Sequence, residues 1–400
     1  MRVVMVEQPL KGVVVLDFGQ VYNGPYCGFL LAQAGARVIK VEAPRGETLR
    51  ARGRNAPSAY PFALLNSNKE GITLNIKHPE GQALLKRMVA HVDVVMENFA
   101  PGTMARYGIG ADVLREINPR LIYASSTGYG DGGPYRDYRG MDVTLQAMAG
   151  VMSVTGEGDG PPMKTAATLA DMLGGAHMYA GIVSALFGRE RSGEGARVDI
   201  SMQDCVFPTL ATALGSFYVQ GSLPERQGNR HPGRALAPYN VYEAADGHVA
   251  IICIREGHWR GLCAAMNDEA LADEPRFATM AARCEHMSAL DEQITAWTRT
   301  QTKARILELG QAHGVVCAPV KTLDEVVEDP HLHARGTLET RQHPDLGDIA
   351  QMHSPLRFEG VAPTPITDPP SLGGDNDAVY AALAELDAGE LQRLRDVEAL

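Results

Sequence analysis

Residues 13–41 read VVVLDFGQVYNGPYCGFLLAQAGARVIKV, and this stretch decides the fold. Val13 to Leu16 is a short β-branched run suited to a buried strand. Gly24-Pro25 breaks it, Tyr26 to Ala34 carries a helical pattern, Gly35 stops that helix, and Val38 to Val41 forms a second strand. Two strands joined through a helix make a βαβ unit, whose crossover leaves the strands parallel. The pattern recurs with helix Pro79 to Ala90 before strand Asp93 to Met96, and helix Ala111 to Ile117 before strand Leu121 to Ala124. The expected fold class is α/β, an open doubly wound parallel sheet of Rossmann-like type. Ligands of such sheets bind beyond the carboxyl ends of the strands.

Further along, Leu169, Met172, Leu173, Ala176, Ala180, Val183 and Phe187 recur at helical spacing. Gly193 and Gly195 stop that helix, and Val198 to Met202 reads as another strand. Gln220 to Pro238, rich in Gly, Pro and Arg, is a linker candidate. From Tyr239 to about Pro319 the pattern changes to strand Val249 to Ile254, helices around Trp259, Met266 and Trp297, and strand Val315 to Val320, as in a smaller α+β domain. Pro363, Pro365, Pro369 and Pro370 suggest an extended return segment, closed by a final helix near Asp377 to Arg395. The expected organisation is a large domain from residues 1–220 with 330–400 and a small one from 225–325, which suits a chain of 400 residues.

The formal charge of -11, with no basic run, excludes a nucleic-acid-binding surface and requires any anionic ligand to meet a local basic cluster. Six scattered cysteines with no CxxC pair point to neither a metal site nor a disulfide framework. The start MRVVMVEQPLKG lacks a signal-peptide pattern and no window is as long and apolar as a membrane span, so a cytoplasmic protein is expected. The run Gly128-Tyr-Gly130-Asp-Gly132-Gly133 is followed by Pro134 and a polar stretch where a dinucleotide loop needs a helix start, and reads as a turn-rich loop.

Asp171 stands in the first turn of its helix, outside the apolar stripe, with Gly174 and Gly175 one turn on. Two readings of it stay open on the residues alone. One is an ordinary acidic helix start favoured by the dipole; the other is a nucleophilic carboxylate that its glycine neighbours leave uncovered.

Several segments ahead of Asp171 combine a turn, an Asn and a cation: Gly19-Gln-Val-Tyr-Asn-Gly-Pro25, Asn66-Ser-Asn-Lys69, Leu74-Asn-Ile-Lys77, Glu97-Asn-Phe-Ala-Pro-Gly102 with Arg106, and Arg139-Gly-Met-Asp142. In this order and spacing they resemble the family III coenzyme A transferases, the group of formyl-CoA transferase and carnitine CoA-transferase. The likeness continues through Gly-Glu-Gly-Ala-Arg-Val-Asp-Ile-Ser-Met-Gln-Asp204, the Ala-Pro-Tyr-Asn-Val-Tyr block around Tyr239, and Asp329-Pro330-His331. It implies a catalytic carboxylate at Asp171. It also implies adenine, ribose and phosphate contacts at Tyr22, Asn23, Leu74, Lys77, Asn98, Phe99 and Arg106, and pantetheine-side contacts at Arg139, Gly140, Met141 and Asp142. The same resemblance implies coenzyme A and acyl-CoA as substrates with no permanently bound cofactor or metal, a small carboxylic acid as co-substrate, and an interlocked homodimer.

The mechanism so implied has Asp171 attack the acyl-CoA thioester to give an anhydride, then an aspartyl-CoA thioester, and finally the new acyl-CoA. Asp171 is expected to be ionised already at neutral pH, with oxyanion donors from backbone N–H groups near Gly174, Gly175 or a glycine-bearing loop. Where formyl-CoA transferase has a Gln-Ala pair and an arginine, this chain has Tyr22-Asn23 and Ala43, which tells against oxalate or formate; Arg45 or Arg50 are the nearby sources of charge. Arg230 and Arg234 suit either recognition of a dicarboxylic acid or a solvated basic linker, and the loop Arg255-Glu-Gly-His-Trp259 is either a lid or an ordinary connection between strand and helix. Acyl-CoA racemases share the fold as the alternative. They use a histidine where this chain has Met141, which cannot exchange a proton; Asp142 beside it and His177, six residues after Asp171, are other donors but off the pattern.

Overall fold

Six short segments build parallel strands: β1 (Val14–Asp17), β2 (Arg37–Glu42), β3 (Lys69–Thr73), β4 (Val94–Glu97), β5 (Ile122–Thr127) and β6 (Arg197–Ser201). Their order across the sheet is β3-β2-β1-β4-β5-β6. The structure, a computed structural model, describes residues 7–51, 59–221 and 225–400. The first six residues of the N-terminal segment and residues 222–224 of the linker candidate lie outside these.

Side chains of successive strand residues point to opposite faces, and both faces are covered. Leu16, Ile39, Ile72 and Val95 pack with Leu84, Leu85 and Met88 of helix Pro79–Val89 and with Val379 and Tyr380 near the C-terminus. Val15, Val38, Val94, Met96 and Ile122 pack with Leu31 of helix Asn23–Gln33 and with Met178, Ile182 and Leu186 of helix Leu169–Ser192. The fold is therefore α/β, doubly wound around a parallel sheet.

Several elements differ from the sequence reading. Helix Asn23–Gln33 begins before Gly24-Pro25, because proline is tolerated in a first turn, whose N–H groups need no partner within the helix. Strand β3 was not expected from Lys69-Glu-Gly-Ile-Thr73. Its charges are absorbed by partners, Lys69 by Asp17 at 2.8 Å and Glu70 by Arg37 at 2.8 Å. Its free edge is closed by side chains of the return segment, with Asp375 Oδ2 accepting from Gly71 N at 2.7 Å and Asn376 Oδ1 from Thr73 N at 2.9 Å. The last helix is two, Asn376–Ala384 and Ala388–Asp396, parted where Glu385 takes a left-handed φ of 52° and Asp387 caps the second. Before them the chain forms the antiparallel hairpin β10 (Leu338–His343) and β11 (Gly347–Met352).

The helix carrying Asp171 packs on a face other than the one its apolar spacing suggested. The buried positions are Ala170, Gly174, Gly175, Met178, Ile182, Leu186 and Arg189, while Ala180 and Phe187 are exposed. Glycine decides this, since it lets a neighbouring backbone approach where a larger residue would hold it off.

The chain divides into two compact units. One contains Met1–Ala149, Ala167–Val206 and Asp329–Leu400, the other Gly150–Ala166 and Phe207–Glu328. Residues 150–166 and 207–220, which the sequence reading grouped with the large domain, cluster with the smaller unit. That unit holds an antiparallel sheet of β7 (Tyr239–Ala244), β8 (Gly247–Ile252) and β9 (Val316–Pro319), packed by helices around Trp259, Phe277, Leu290 and Ile294.

Candidate active site

The strand order turns around β1, which lies between β2 and β4, so the crevice beyond the ends of β1 and β4 is the topological switch point where ligands of such sheets bind. The two loops that leave these strands are clasped together. Asn98 Oδ1 accepts from Gln20 N at 2.8 Å and Asn98 Nδ2 donates to Gln20 O at 2.9 Å. A buried polar network fixes the β1 loop from below: Asp17 Oδ1 accepts from Gly19 N at 2.7 Å, and Lys40 donates to Gly19 O at 3.0 Å. Val21 has a φ of 65°, a costly conformation for a β-branched residue, and its N–H donates to Glu47 Oε2 at 2.9 Å.

Asp171 lies beside this loop. Gly174 and Gly175 are pressed against the start of helix Asn23–Gln33. A Cβ on Gly174 would sit 2.1 Å from Asn23 Nδ2, and one on Gly175 2.6 Å from the Asn23 carbonyl oxygen. The glycines therefore allow a helix-to-helix approach rather than leaving open space. Both lie beyond the first turn, where backbone N–H groups belong to the helical ladder, so they are not the oxyanion donors the sequence suggested. Asn23 Nδ2 donates to the Asp171 carbonyl oxygen at 3.3 Å, while Asp142 Oδ1 accepts from Ala170 N at 2.7 Å and Asp171 N at 3.3 Å.

The carboxyl of Asp171 is pushed up to about 7, by burial first and by the charge of Asp142 second. It is thus only partly ionised at neutral pH, contrary to the expectation from its ordinary range. A group so placed, partly desolvated and backed by another carboxylate, is suited to nucleophilic or acid–base work. His177 is exposed, and its Nδ1 bonds its own helix at Leu173 O, 2.8 Å away, so it does not complete a second acid–base pair with Asp171.

The other residues singled out by sequence sit mostly in loops after the carboxyl ends of strands. Lys77 follows β3, Asn98, Phe99 and Arg106 follow β4, and Arg139, Gly140, Met141 and Asp142 follow β5. Lys77, Arg106, Arg139 and Met141 are exposed, whereas Asn23 and Leu74 are only 1% and 2% exposed. Burial takes the side chains of Asn23 and Leu74 away from a ligand, and the Asn98 amide is spent on Gln20. Tyr22, half-buried, precedes helix Asn23–Gln33. Arg50 is committed to Glu42 at 2.8 Å and to the Pro370 carbonyl, so it does not replace the arginine missing at Ala43; Arg45 is exposed.

Glu97 was named only as part of a motif, yet it shapes the β4 loop. Its carboxyl accepts from Phe99 N at 2.7 Å and from the Tyr123 hydroxyl at 3.2 Å, and burial pushes it up to about 7. Gln20 stood only as an unremarked member of the Gly19–Pro25 motif, and Lys40 and Glu47 carry no motif signal at all.

Within the smaller unit, Arg230 is held by Asp291 at 2.7 Å, and Asp291 also accepts from Asn240 at 3.0 Å and the Tyr242 hydroxyl at 2.7 Å. Arg230 is therefore a structural partner, which leaves Arg234, exposed with φ 49°, as the arginine facing solvent in that loop. The lid candidate is the start of a packed helix, Glu256–Ala265: Glu256 pairs with buried Arg283 at 2.9 Å and Trp259 is fully buried. Among the described residues no cluster suits a metal ion, and no helix is long and apolar enough to cross a membrane.

Comparison with known proteins places the chain in a family. The model of CoA-transferase family III matches residues 10–376. The chain is 37% identical to the succinyl-CoA–D-citramalate CoA-transferase of Chloroflexus aurantiacus, covering 97% of each. It is also 37% identical to the formyl-CoA:oxalate CoA-transferase of Streptomyces avermitilis over 96% of this chain and 98% of that one. The succinate–glutarate CoA-transferase of Agrobacterium fabrum matches at 37% over 89% and 93%. A crystal structure of a CAIB/BAIF family protein from Brucella suis superposes with a TM-score of 0.83 at 34% identity, over 94% of this chain and 99% of that one.

Proposed function

The chain belongs to CoA-transferase family III, and from that premise we propose how its own residues carry the reaction. It is an acyl-CoA:carboxylate CoA-transferase. In our reading Asp171 is the nucleophile. Its carboxylate attacks the thioester carbonyl of the donor, expelling CoA thiolate and leaving an aspartyl–acyl anhydride. The thiolate then attacks the aspartyl carbonyl, releasing the donor acid and leaving an aspartyl-CoA thioester. The acceptor carboxylate displaces CoA from Asp171 to form a second anhydride, and the thiolate takes the acceptor acyl group, freeing Asp171.

The observation that carries this reading is the placement of Asp171: a partly desolvated carboxyl, raised to about 7, in a first turn held by Asn23 and Asp142. A raised carboxylate is a stronger nucleophile than one in water, at the cost of partial protonation.

Lys77, Arg106 and Arg139 follow successive strands on the carboxyl edge of one sheet and are exposed, which supports a role in holding the CoA phosphates on an otherwise acidic chain. Tyr22, Phe99, Gly140 and Met141 border the same edge and complete the CoA surface, with Asn23, Leu74 and Asn98 shaping it through their backbones. The acceptor we favour is a dicarboxylic acid, supported by the succinyl, glutarate and citramalate specificities in the names of the relatives. We take the working form to be an interlocked homodimer; large apolar side chains such as Tyr218 and Val219, 78% and 87% exposed in one copy, fit coverage by a second. Six cysteines without a disulfide fit a reducing cytoplasm.

The test is trapping. Enzyme incubated with a donor acyl-CoA and then hydroxylamine should carry modification on the peptide containing Asp171. Rapid deuterium uptake at the α-carbon of an unchanged acyl-CoA, with no adduct and no need for an acceptor, would instead support the racemase alternative.

A further inference from the structure

The helix Leu169–Ser192 begins without help from its own cap residue, since Thr168 makes no side-chain capping bond. Two N–H groups of its first turn are nevertheless satisfied, those of Ala170 and Asp171, both by Oδ1 of Asp142 at 2.7 and 3.3 Å. The other oxygen of that carboxylate accepts from Gln146 Nε2 at 2.7 Å. Gln146 is fully buried one turn along the helix Asp142–Met148, and it also donates to Ala167 O at 3.3 Å, on the strand of chain that leads into the Asp171 helix. Both oxygens of Asp142 are thus used inside the protein, and both bonds lead to the chain around Asp171.

We propose that Asp142 is a positioning residue, an N-cap supplied from a second helix and braced by Gln146, which fixes the first turn that aims the Asp171 side chain at the acyl-CoA. The proposal rests on the reading of Asp171 as nucleophile. It departs from the pantetheine contact that family resemblance implies for Asp142. A first turn without a cap leaves its N–H groups unsatisfied and prone to fray. The Cα–Cβ bond of Asp171 follows that turn, so fraying moves the attacking oxygens. Holding one carboxylate near another carries a repulsive cost, which the N–H bonds and the positive end of the helix offset.

Three variants of the full-length enzyme test this. Asp142→Ala removes the cap, Asp142→Asn keeps the accepting oxygen while giving up the bond to Gln146, and Gln146→Leu removes the brace alone. In ligand-free protein, amide hydrogen exchange over the peptide containing Ala170 and Asp171 should quicken about tenfold in Asp142→Ala and by less in Asp142→Asn. In steady-state assays kcat should fall about ten- to a hundredfold in Asp142→Ala, with KM for the acyl-CoA held within about threefold, because orientation is lost and affinity is not. Asp142→Asn should recover most of that loss, and Gln146→Leu should show a smaller fall of the same kind, which serves should Asp142→Ala fail to fold. Unchanged exchange, or a raised KM with kcat intact, overturns the proposal. Failure of the nucleophile reading is visible separately, as a wild type that gives no adduct on Asp171 although exchange still quickens in Asp142→Ala; that result removes the catalytic role and leaves Asp142 a helix cap only.

Discussion

The side-chain amide of Asn23 donates to the backbone carbonyl of Asp171 at 3.3 Å, joining the loop after β1 to the turn that carries the proposed nucleophile across 148 positions of sequence. Because that bond goes to the backbone, it leaves the Asp171 carboxyl free to react.

Asp171→Ala should lower turnover by about a thousandfold or more and leave the CoA dissociation constant within about twofold, since the residue supplies covalent chemistry rather than affinity. Turnover measured beside calorimetric CoA titration checks this. Activity within tenfold of wild type contradicts the assignment.

The Asp171 carboxyl, raised to about 7, must lose its proton to attack. The rate constant kcat/KM should therefore climb about tenfold per pH unit below that point and level off above it. The same shift bears on stability. The folded state keeps a proton that the unfolded chain gives up near 3.8, so the contribution of this group is full below 3.8 and is lost as pH rises through about 7. Asp171→Asn should accordingly melt higher than wild type at alkaline pH and level with it under acid conditions, read by thermal denaturation across pH.

Lys69 and Lys77 look alike in sequence and should behave oppositely. Lys69→Met strands the buried carboxylate of Asp17, at a cost of roughly 3–5 kcal/mol of stability in urea unfolding. Lys77→Met should leave the unfolding midpoint in place and weaken CoA binding roughly tenfold, with an effect that shrinks in salt. Equal unfolding curves for the two variants would deny the buried pair.

Gly174→Ala drives a methyl group to 2.1 Å from Asn23 Nδ2 and should cost roughly 1–3 kcal/mol together with activity. Gly188→Ala in the same helix meets nothing within 4 Å and should be neutral or stabilising by up to about 1 kcal/mol. Chemical denaturation of both variants separates a packing glycine from an idle one.

Local periodicity was enough to read the βαβ units, because the centre of a strand buried on both faces is a short β-branched apolar run; helix Ala111–Ile117 agrees to the residue. Strand β3 escaped because its Lys69 and Glu70 are neutralised by Asp17 and Arg37, partners 52 and 33 positions away, which no window can pair. Asp171 stood out as a first-turn acid, and the ordered motifs supplied its context. The packing of its helix was misread because glycines, which carry no hydrophobic signal, made the contact. The role of Arg230 was likewise hidden in a distant carboxylate, Asp291, 61 positions away, whereas Arg50 pairs with Glu42 only 8 positions before it.

The clasp between Asn98 and the backbone of Gln20 bears on how this enzyme is re-engineered. Two loops 78 positions apart behave as one exchangeable module. A grafted β1 loop whose backbone takes another path strands the Asn98 amide, because both of its bonds go to the Gln20 backbone, whereas transplanting both loops together carries the fit along. Libraries meant to alter substrate choice should therefore vary the pair as a unit, and chimaeras should place their crossovers outside both segments.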